Sequence, residues 1–333
     1  MRGRWVALAT AMLITSMAAC QSPTAAPGRA PCSWRAQQAP SGGDDLYDVS
    51  FPDLTHGWAV GGIDKGDILT TSDGGATWRS RAIGTNGLAG VSFVDATHGW
   101  AVGVHNTVLA TSDGGVSWTP EHPGINHDCN LAAVQFLDAR HGWMVGEQGL
   151  IRVTSDGGLT WTPQAAGTKQ DLSHVTFVDP QHGWVVAGND EILRTVDGGA
   201  TWTPVFAGNP KKTEIVAAAV FLDPSRGWES GSQDDGQSNH GVVSQTLDGG
   251  RTWAHRAATN FDDVRFGAIA FVDGMHGWVA GYQGELWYTD NAGVSWGSRP
   301  GPAVGERMYS LAFRDSTHGW AVGQSGTILA CRV

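Results

Sequence analysis

A tripeptide that ends in tryptophan recurs along the 333-residue chain and constrains its fold more than any other feature. It reads His-Gly-Trp in six copies and Arg-Gly-Trp in one. The spacing runs from 41 residues (Trp143 to Trp184) to 50 residues (Trp228 to Trp278). Such a period is typical of repeat proteins in which each copy forms one four-stranded blade of a β-propeller. The seven tryptophans are Trp58, Trp100, Trp143, Trp184, Trp228, Trp278 and Trp320.

Two further elements recur in register with this tripeptide. Before it, a six-residue run in which apolar residues alternate with small or polar ones predicts a strand. After it, a motif of the form Thr-x-Asp-Gly-Gly-x-Thr/Ser-Trp predicts a tight turn between two more strands. Each repeat therefore contains four predicted strands. The runs end at Phe51, Phe93, Phe136, Phe177, Phe221, Phe271 and Phe313, and the motifs end at Trp78, Trp118, Trp161, Trp202, Trp253 and, in degenerate form, Trp296.

The seventh repeat stops at Ile-Leu-Ala-Cys-Arg-Val and lacks the second motif with its last strand. The segment around Trp34 aligns with that last strand in the other repeats, so we expect the N-terminus to complete the final blade. Closing the ring in this way removes the two exposed sheet edges of an open array. We predict an all-β protein with almost no helix, in which residues 32–333 form a seven-bladed propeller of four-stranded antiparallel blades.

The cysteines support the same closure. The repeat alignment places Cys32 and Cys331 on either side of the missing turn, where adjacent strands meet at a distance that suits a disulfide. In an oxidising compartment we expect these two residues to be bridged. Of the other two cysteines, Cys129 is expected to be a free buried thiol, and Cys20 belongs to the N-terminal leader.

Residues 1–19 have the layout of a secretory signal peptide, with two arginines before a short apolar stretch. The stretch ends in Met-Ala-Ala-Cys, which resembles the bacterial lipobox and implies lipidation of Cys20. Residues 20–31 then read as a flexible tether. We expect a protein secreted across the inner membrane and lipid-anchored in the bacterial cell envelope, in the periplasm or at the cell surface. The alternative is an ordinary signal peptide with an incidental cysteine.

The formal net charge of −11 makes nucleic acids and anionic lipid surfaces poor partners. The six histidines of the repeated tripeptide lie on separate blades, too far apart to share one metal ion at about 2 Å. We instead expect each to bond an aspartate of its own turn, such as Asp53 or Asp95, while the glycine adopts a positive φ. No metal or cofactor is predicted, and we expect a monomer. The six are His56, His98, His141, His182, His276 and His318.

The aspartate of the second motif invites a catalytic interpretation, but a carboxylate before Gly-Gly is suited to accepting N–H groups of its own turn. The motif resembles the Asp-box of sialidase-type propellers, where it lies on outer turns away from the active site. We therefore assign a structural role to Asp73, Asp113, Asp156, Asp197 and Asp248.

An exo-sialidase would need an arginine cluster and a tyrosine nucleophile paired with an acid. The FRIP-type arginine motif of that family is absent, and the best available residues are Arg152, Arg194, Glu306, Arg307 and Tyr309. A second arrangement, Asp48 with His174 and Ser310, shares the register that faces the central channel. Blades one and four face each other across the ring, which argues against a working triad.

The repeated turns hardly differ between blades, whereas the loops on the opposite face differ in length and charge. Loops on a rigid scaffold are the usual place for recognition, so we predict the binding face there. The candidate residues are Lys211, Lys212, Asp234, Asp235, His240, Asp262, Asp263 and Arg265.

The region from Cys32 to Val333 resembles the photosystem II stability and assembly factor family, whose units carry F-x-D-x-x-H-G-W-A-V-G followed by an Asp-box. The resemblance implies an extracytoplasmic protein that binds another protein, in photosynthetic members a reaction-centre subunit during assembly. Nothing in the sequence indicates a photosystem partner. We expect a non-enzymatic binding or assembly scaffold whose partner is another envelope or membrane protein. The alternatives are a sialidase-like glycoside hydrolase and a carbohydrate-binding surface lectin.

Overall fold

The computed structural model describes residues 32–40, 43–62, 64–188, 191–206, 213–234, 236, 238–256, 261, 263–298, 302 and 305–333. Its strands form seven separate four-stranded sheets, and every pairing between neighbouring strands is antiparallel. Helical structure among the described residues is limited to two short 3-10 turns, at Glu147–Gly149 and Gln324–Gly326. The predicted all-β, seven-bladed propeller is therefore confirmed. No described helix has the length and apolar character needed to cross a membrane.

The strands are numbered along the chain, and strand β1 (Ser33–Gln37) belongs to the last blade. Blades one to three are β2 (Leu46–Ser50), β3 (Gly57–Gly61), β4 (Asp67–Thr71) and β5 (Arg79–Ala82); β6 (Leu88–Phe93), β7 (Gly99–Gly103), β8 (Val108–Thr111) and β9 (Thr119–Pro120); and β10 (Leu131–Phe136), β11 (Gly142–Gly146), β12 (Leu150–Thr154) and β13 (Thr162–Ala165).

Blades four and five are β14 (Leu172–Phe177), β15 (Gly183–Ala187), β16 (Glu191–Thr195) and β17 (Thr203–Phe206); and β18 (Thr213–Phe221), β19 (Gly227–Asp234), β20 (Asn239–Thr246) and β21 (Ala254–His255). Blades six and seven are β22 (Phe266–Phe271), β23 (Gly277–Gly281), β24 (Leu286–Thr289) and β25 (Gly297–Ser298); and β26 (Met308–Asp315), β27 (His318–Gly323), β28 (Ile328–Arg332) and β1.

The ring closes as the repeats predict. Strand β1 pairs with β28, with Trp34 opposite Cys331. The Trp34 ring meets the Phe313 ring edge-on at 5.6 Å, as the Asp-box tryptophans do in the other blades. Cys32 and Cys331 form a disulfide with their Cα atoms 5.4 Å apart, which confirms the predicted bridge. Cys129 is a buried free thiol.

Neighbouring blades are joined by stacked aromatic rings, one pair at each of the seven interfaces. The tryptophan of the repeated tripeptide lies parallel to the phenylalanine that ends the first strand of the next blade, with ring centroids 3.5 to 3.8 Å apart. Stacked pairs of this kind add attraction beyond the area they bury. The pairs are Trp58–Phe93, Trp100–Phe136, Trp143–Phe177, Trp184–Phe221, Trp228–Phe271, Trp278–Phe313 and Trp320–Phe51.

The glycine of the tripeptide is required for a different reason from the one expected. The expectation of a positive φ is wrong, because Gly57 and its equivalents are absent from the left-handed region. A Cβ atom on Gly57 would instead overlap the ring of Phe51, which lies flat against the backbone. The glycine therefore makes room for the phenylalanine that the neighbouring tryptophan stacks upon.

The two faces of the ring are built from different connections. We call the face with the Asp-box turns and the His/Arg-Gly turns the uniform-turn face, and the opposite face the variable-loop face. Cys331 is paired with Gly319, next to a His-Gly turn, so the disulfide lies at the uniform-turn end of blade seven. The hairpin of β19 and β20 is longer than its counterparts and extends the variable-loop face.

Candidate functional site at the channel mouth

The carboxylates of the Asp-box aspartates accept hydrogen bonds from residues of their own turns. The Asp73 carboxylate accepts the Thr77 hydroxyl at 2.6 Å, the Thr77 N–H at 2.8 Å and the Thr71 hydroxyl at 2.8 Å. The bonds from Thr77 are the main reason that the pKa of Asp73 is lowered to about 2. The same pattern recurs at Asp113, Asp156, Asp197 and Asp248, and at Asn291 in blade six.

These turns also bind the neighbouring blade. The indole Nε1–H of Trp100 donates to the carbonyl of Gly157, the residue after the Asp-box aspartate of blade three, at 2.8 Å. Four other interfaces have the same bond from Trp58, Trp184, Trp228 and Trp320. The Asp-box turn therefore connects blades as well as strands.

The tripeptide histidines bond aspartates of their own turns, at Nδ1–oxygen distances of 2.7 to 3.0 Å. In blade five Arg226 takes the place of histidine and contacts Asp223 at 2.7 Å. No group of three or more His, Cys, Asp or Glu side chains suited to a metal ion occurs within the described part of the chain. The uniform-turn face is thus held by local pairs that repeat around the ring.

A cavity of about 440 Å³ occupies the central channel, where the first strands of the blades converge. Four positions in its wall depart from the small residues that the repeat otherwise places there: Tyr47, Asp48, His174 and Tyr309. Tyr282 reaches the same cavity from the loop after β23. The remaining lining residues are Ala89, Ala132, Ala133, Ser173, Ile215, Val216, Ala217, Gly267 and Ser310.

Asp48 is the acidic group in the wall of this cavity. One carboxylate oxygen accepts the Ser310 hydroxyl at 2.8 Å and the N–H of Val49 at 2.9 Å, and the other accepts the N–H of Val91 at 2.9 Å. These bonds join blades seven, one and two. Burial raises the pKa of Asp48 to about 6, because the lowering effect of the three donors does not offset the loss of water around the charge.

Three of the four tyrosines of the chain form an aromatic rim at the channel mouth. The rings of Tyr47 and Tyr309 are 5.3 Å apart, and the Tyr309 hydroxyl donates to Asp45 at 3.1 Å. The Arg307 guanidinium lies 3.4 Å from the centroid of the Tyr282 ring and 5.2 Å from that of Tyr309. The rim therefore already accommodates a guanidinium by cation–π contact.

The structure does not assemble a triad from Asp48, His174 and Ser310. Ser310 donates to Asp48, whereas the imidazole of His174 contacts the hydroxyl of Ser173 at 3.3 Å. Burial lowers the pKa of His174, so its imidazole is neutral at pH 7. A nucleophile bonded to the acid instead of to the base lacks the arrangement that activates a serine.

The residues considered for a sialidase are likewise dispersed. Arg152 lies on β12 and donates to the carbonyl of Pro123, and Arg194 lies 5.9 Å from the ring of Trp184 near the uniform-turn face. Neither lines the channel cavity, and of the three arginines only Arg307 is at the rim. The structure therefore contains no arginine cluster around Tyr309 among the described residues.

The predicted binding-face residues that are described lie around blade five and the loop that follows it. Asp234 ends β19, His240 lies on β20, and the N–H of Asp263 donates to the carbonyl of Asn239 at 2.8 Å. Arg265 is exposed in the same loop. The hairpin and the loop are thus in contact on the variable-loop face. Cys20, Lys211, Lys212, Asp235 and Asp262 lie outside the described residues.

Asp48, Arg307 and Tyr309 were predicted candidates from the sequence, whereas Tyr47 and Tyr282 were not predicted. A signal for Tyr47 was present, because it aligns with Tyr309 at a position where the other five blades have Ala, Ser or Gly. Closure of the ring places those two first strands next to each other. Tyr282 follows a repeated strand in a loop of its own, and no repeated pattern predicts where such a loop points.

This geometry defines a seven-bladed Asp-box β-propeller with a polar, aromatic-rimmed channel mouth. Residues 164–234 match the family model described as photosynthesis system II assembly factor YCF48. A solved structure described as YCF48 bound to D1 peptide is 23% identical, covers 92% of this chain and 99% of that chain, and has a TM-score of 0.74. The resemblance to this assembly factor family is thereby confirmed.

Other solved propellers share the fold. YCF48 from Cyanidioschyzon merolae is 23% identical, with coverage of 90% of this chain and 98% of that chain and a TM-score of 0.70. A GH74 enzyme from Niastella koreensis is 16% identical with a TM-score of 0.69, and the match covers 88% of this chain but only 53% of the enzyme. At these identities the likeness shows the fold alone. No curated protein matches the sequence.

Proposed function

We propose that the chain is a lipid-anchored, extracytoplasmic scaffold that captures a partner protein on its variable-loop face and at the channel mouth. One observation carries this proposal: the large and polar side chains that replace small residues on the first strands gather at the channel mouth. Tyr47, Asp48, Tyr282 and Tyr309 line the channel cavity. Asp263 lies on the neighbouring loop. Residues that a repeated fold does not require are the ones free to serve recognition.

The comparisons support a protein partner. A propeller of similar fold, YCF48, has been solved with a D1 peptide bound, and the family match in residues 164–234 relates this chain to the same kind of assembly factor. We carry over the capacity to hold a segment of another protein and leave the identity of that protein open.

The position of Cys32 supports an orientation for the anchored protein. Cys32 lies at the uniform-turn end of blade seven, so a tether of residues 20–31 would leave the ring from that end. Twelve residues span at most about 40 Å. The uniform-turn face would then lie toward the membrane and the variable-loop face away from it. We therefore expect a partner that approaches from the aqueous side.

The chemistry of the channel mouth favours binding over catalysis. Ser310 donates a hydrogen bond to Asp48, the hydrogen bond of His174 goes to Ser173 instead, and Arg307 stacks on a tyrosine. Such an arrangement offers aromatic surface and polar groups to a ligand but no activated nucleophile. We therefore assign no reaction to the protein.

The test of the binding face is capture of partners from native membrane extracts. A variant with Asp234→Asn, Asp263→Asn and Arg265→Gln should retain less than a tenth of the partner captured by the wild-type protein. Its free energy of unfolding should change by only about 0.5 kcal/mol per substitution, because these side chains are exposed. The matched control is Asp113→Asn on the uniform-turn face, which should capture normally.

Equal capture by the triple variant and the wild-type protein would overturn the assignment of the face. Hydrolysis of a fluorogenic sialoside would favour the glycoside hydrolase, and glycan binding without hydrolysis would favour the lectin. For the anchor, Cys20→Ala should release the protein from membranes or block its processing. Lipid-labelled, membrane-bound mature protein in that variant would exclude lipidation at Cys20.

A further inference from the structure

We propose that the channel mouth is a binding site for a cationic group of the partner, namely a lysine or arginine side chain or an amino terminus, with Asp48 as its counter-ion. The inference deepens the proposed function, on which it rests, by assigning the charge of the bound segment.

Asp48 is a carboxylate without a counter-ion. No lysine, arginine or histidine of the described residues forms an ion pair with it, although the uniform turns contain six Asp–His pairs and one Asp–Arg pair. A half-buried anion that lacks a cation is unfavourable, so a cation brought to it regains electrostatic energy. The structure therefore leaves a charge in the wall of the cavity that a ligand can neutralise.

The carboxylate also has a free hydrogen-bonding position. Two donors, Ser310 and Val49, point to one oxygen, whereas Val91 is the single donor to the other. An ionised carboxylate offers about four acceptor positions. The second oxygen can therefore accept an N–H from an ammonium or guanidinium group that enters the channel.

The rim is suited to the same chemistry. The faces of tyrosine rings attract cations, and the guanidinium of Arg307 already rests on Tyr282. Tyr47 and Tyr309 extend the aromatic surface toward Asp48. A long basic side chain can thus lay its apolar stem along the rings and place its charged end at the carboxylate.

The charged and titratable groups around the cavity come from four blades. Blade one contributes Asp45, Tyr47 and Asp48, and blade four contributes His174, which is neutral at pH 7. Blade six contributes Tyr282, and blade seven contributes Arg307 and Tyr309. Asp44 adds a third acidic group, because its charge acts on Tyr47 together with that of Asp45, so three acidic groups face one cation. The net charge of −11 on the whole chain adds long-range attraction for a basic segment.

Two pH effects follow from this arrangement. Protonation of Asp48 competes with a bound cation, and because its pKa is about 6, the ionised fraction rises about tenfold between pH 5 and pH 7. Protonation of His174 would add a repelling charge in the acidic range. Affinity for a cation should therefore increase with pH, and the His174→Gln variant separates the two contributions.

The experiment uses the whole protein and three capped pentapeptides, Gly-Gly-X-Gly-Gly, in which X is lysine, acetyl-lysine or glutamate. Isothermal titration calorimetry at pH 5 and pH 7 should detect the lysine peptide alone, with about tenfold tighter binding at pH 7. Asp48→Asn should abolish binding, and His174→Gln should retain most of the pH dependence. Tyr309→Leu should weaken binding at least threefold, whereas Tyr309→Phe should not.

Arg307→Gln is the decisive variant. Removal of this positive charge should strengthen binding of the lysine peptide, whereas at an anion site it would abolish binding of the glutamate peptide. Preference for glutamate, or equal binding of lysine and acetyl-lysine, would overturn the proposal. If Asp48→Asn is unstable because the Val91 N–H loses its acceptor, Ser310→Ala keeps the carboxylate and should still bind the lysine peptide. Loss of binding there would count against the site.

The outcomes separate this inference from the proposed function. Partner capture that depends on Asp234, Asp263 and Arg265, combined with no binding of the lysine peptide, would leave the scaffold role intact and reject the cation site. Lysine-peptide binding in a protein that captures no partner would support the cation site and reject the scaffold role.

Discussion

The two ends of the ring hold their carboxylates in opposite ways. On the uniform-turn face, Asp73 is exposed, receives three hydrogen bonds from its own turn, and has a pKa lowered to about 2. In the channel, Asp48 also receives three hydrogen bonds, but from three different blades, and burial raises its pKa to about 6. The number of donors is equal, so access to water decides the sign of the shift.

The two carboxylates also differ in how often they occur among the blades. The Asp-box aspartate occurs in five blades, with asparagine in a sixth, because each turn must close the same hairpin. Asp48 occurs once, where the alignment otherwise has Gly, Ala, His or Ser. A charge that costs stability and occurs in one blade is a stronger functional candidate than one that five blades use for folding.

The largest expected effect is on the blade interfaces. Trp100→Ala removes a ring stacked at 3.5 Å on Phe136 and the indole bond to Gly157, so the free energy of unfolding should fall by about 3 to 5 kcal/mol. Chemical denaturation measures this. The control is Tyr309→Ala at the channel mouth, where the ring is only partly buried and the loss should be about 1 kcal/mol. Equal losses would contradict the division between folding and binding residues.

The second effect concerns ring closure. Replacing Cys32 and Cys331 by serine should lower the free energy of unfolding by about 2 to 5 kcal/mol, because the disulfide closes a loop that spans almost the whole described chain. Thermal melting under oxidising conditions measures the change. Cys129→Ser is the control, since this thiol forms no bridge. A double serine variant as stable as the wild-type protein would show that the β1–β28 pairing closes the ring by itself.

The third effect is on the pH dependence of stability, where the two ends should respond in opposite directions. The pKa of Asp48 is higher in the folded state than in the unfolded state. The stability that its protonated form contributes to the fold is therefore lost as pH rises from about 4 to about 6. A two-unit shift corresponds to about 2 to 3 kcal/mol. The lowered pKa of Asp73 instead reduces stability as pH falls from about 4 to about 2.

Urea denaturation between pH 2 and pH 7 tests both signs. Asp48→Asn should make the free energy of unfolding nearly independent of pH between pH 4 and pH 6. The loss of stability below pH 4 should be unchanged. An unaltered profile in that variant would mean that another group titrates in this range.

The smallest effect is at a single turn. Asp113→Ala should lower the melting temperature slightly, because the Thr111 and Ser117 groups lose their acceptor. Asp113→Asn should lower it less, since Asn291 forms the same turn in blade six and bonds Ser295 through both atoms of its amide. Melting temperatures of the two variants measure the difference. A larger loss for asparagine than for alanine would contradict the proposed role of the side-chain oxygen.

Much of the fold follows from the sequence because its signals are repeated. The period of the tripeptide predicts seven blades, and the likeness of Trp34 to the Asp-box tryptophans predicts the closing strand. The role of Gly57 was mistaken, because the ring that excludes a Cβ atom belongs to Phe51, six residues earlier, and local turn chemistry does not reveal it.

The channel mouth was only partly predictable. The register of the first strands places Asp48 and Ser310 toward the channel, yet their hydrogen bond depends on ring closure between the two ends of the chain. The contact of Arg307 with Tyr282 joins blades seven and six through loops that no repeat constrains.

The disulfide between Cys32 and Cys331, which joins the two ends of the chain in blade seven, has a mechanical consequence. A pulling force on the chain before Cys32 would be transmitted through the sulfur bridge to Cys331 before it could separate any hydrogen bond of β1. The load would be shared by two adjacent strands, so β1 could not be peeled from β28 one bond at a time. The oxidised protein therefore resists tension at the N-terminal end of the ring by covalent means, whereas the reduced protein would lose its first strand one hydrogen bond at a time.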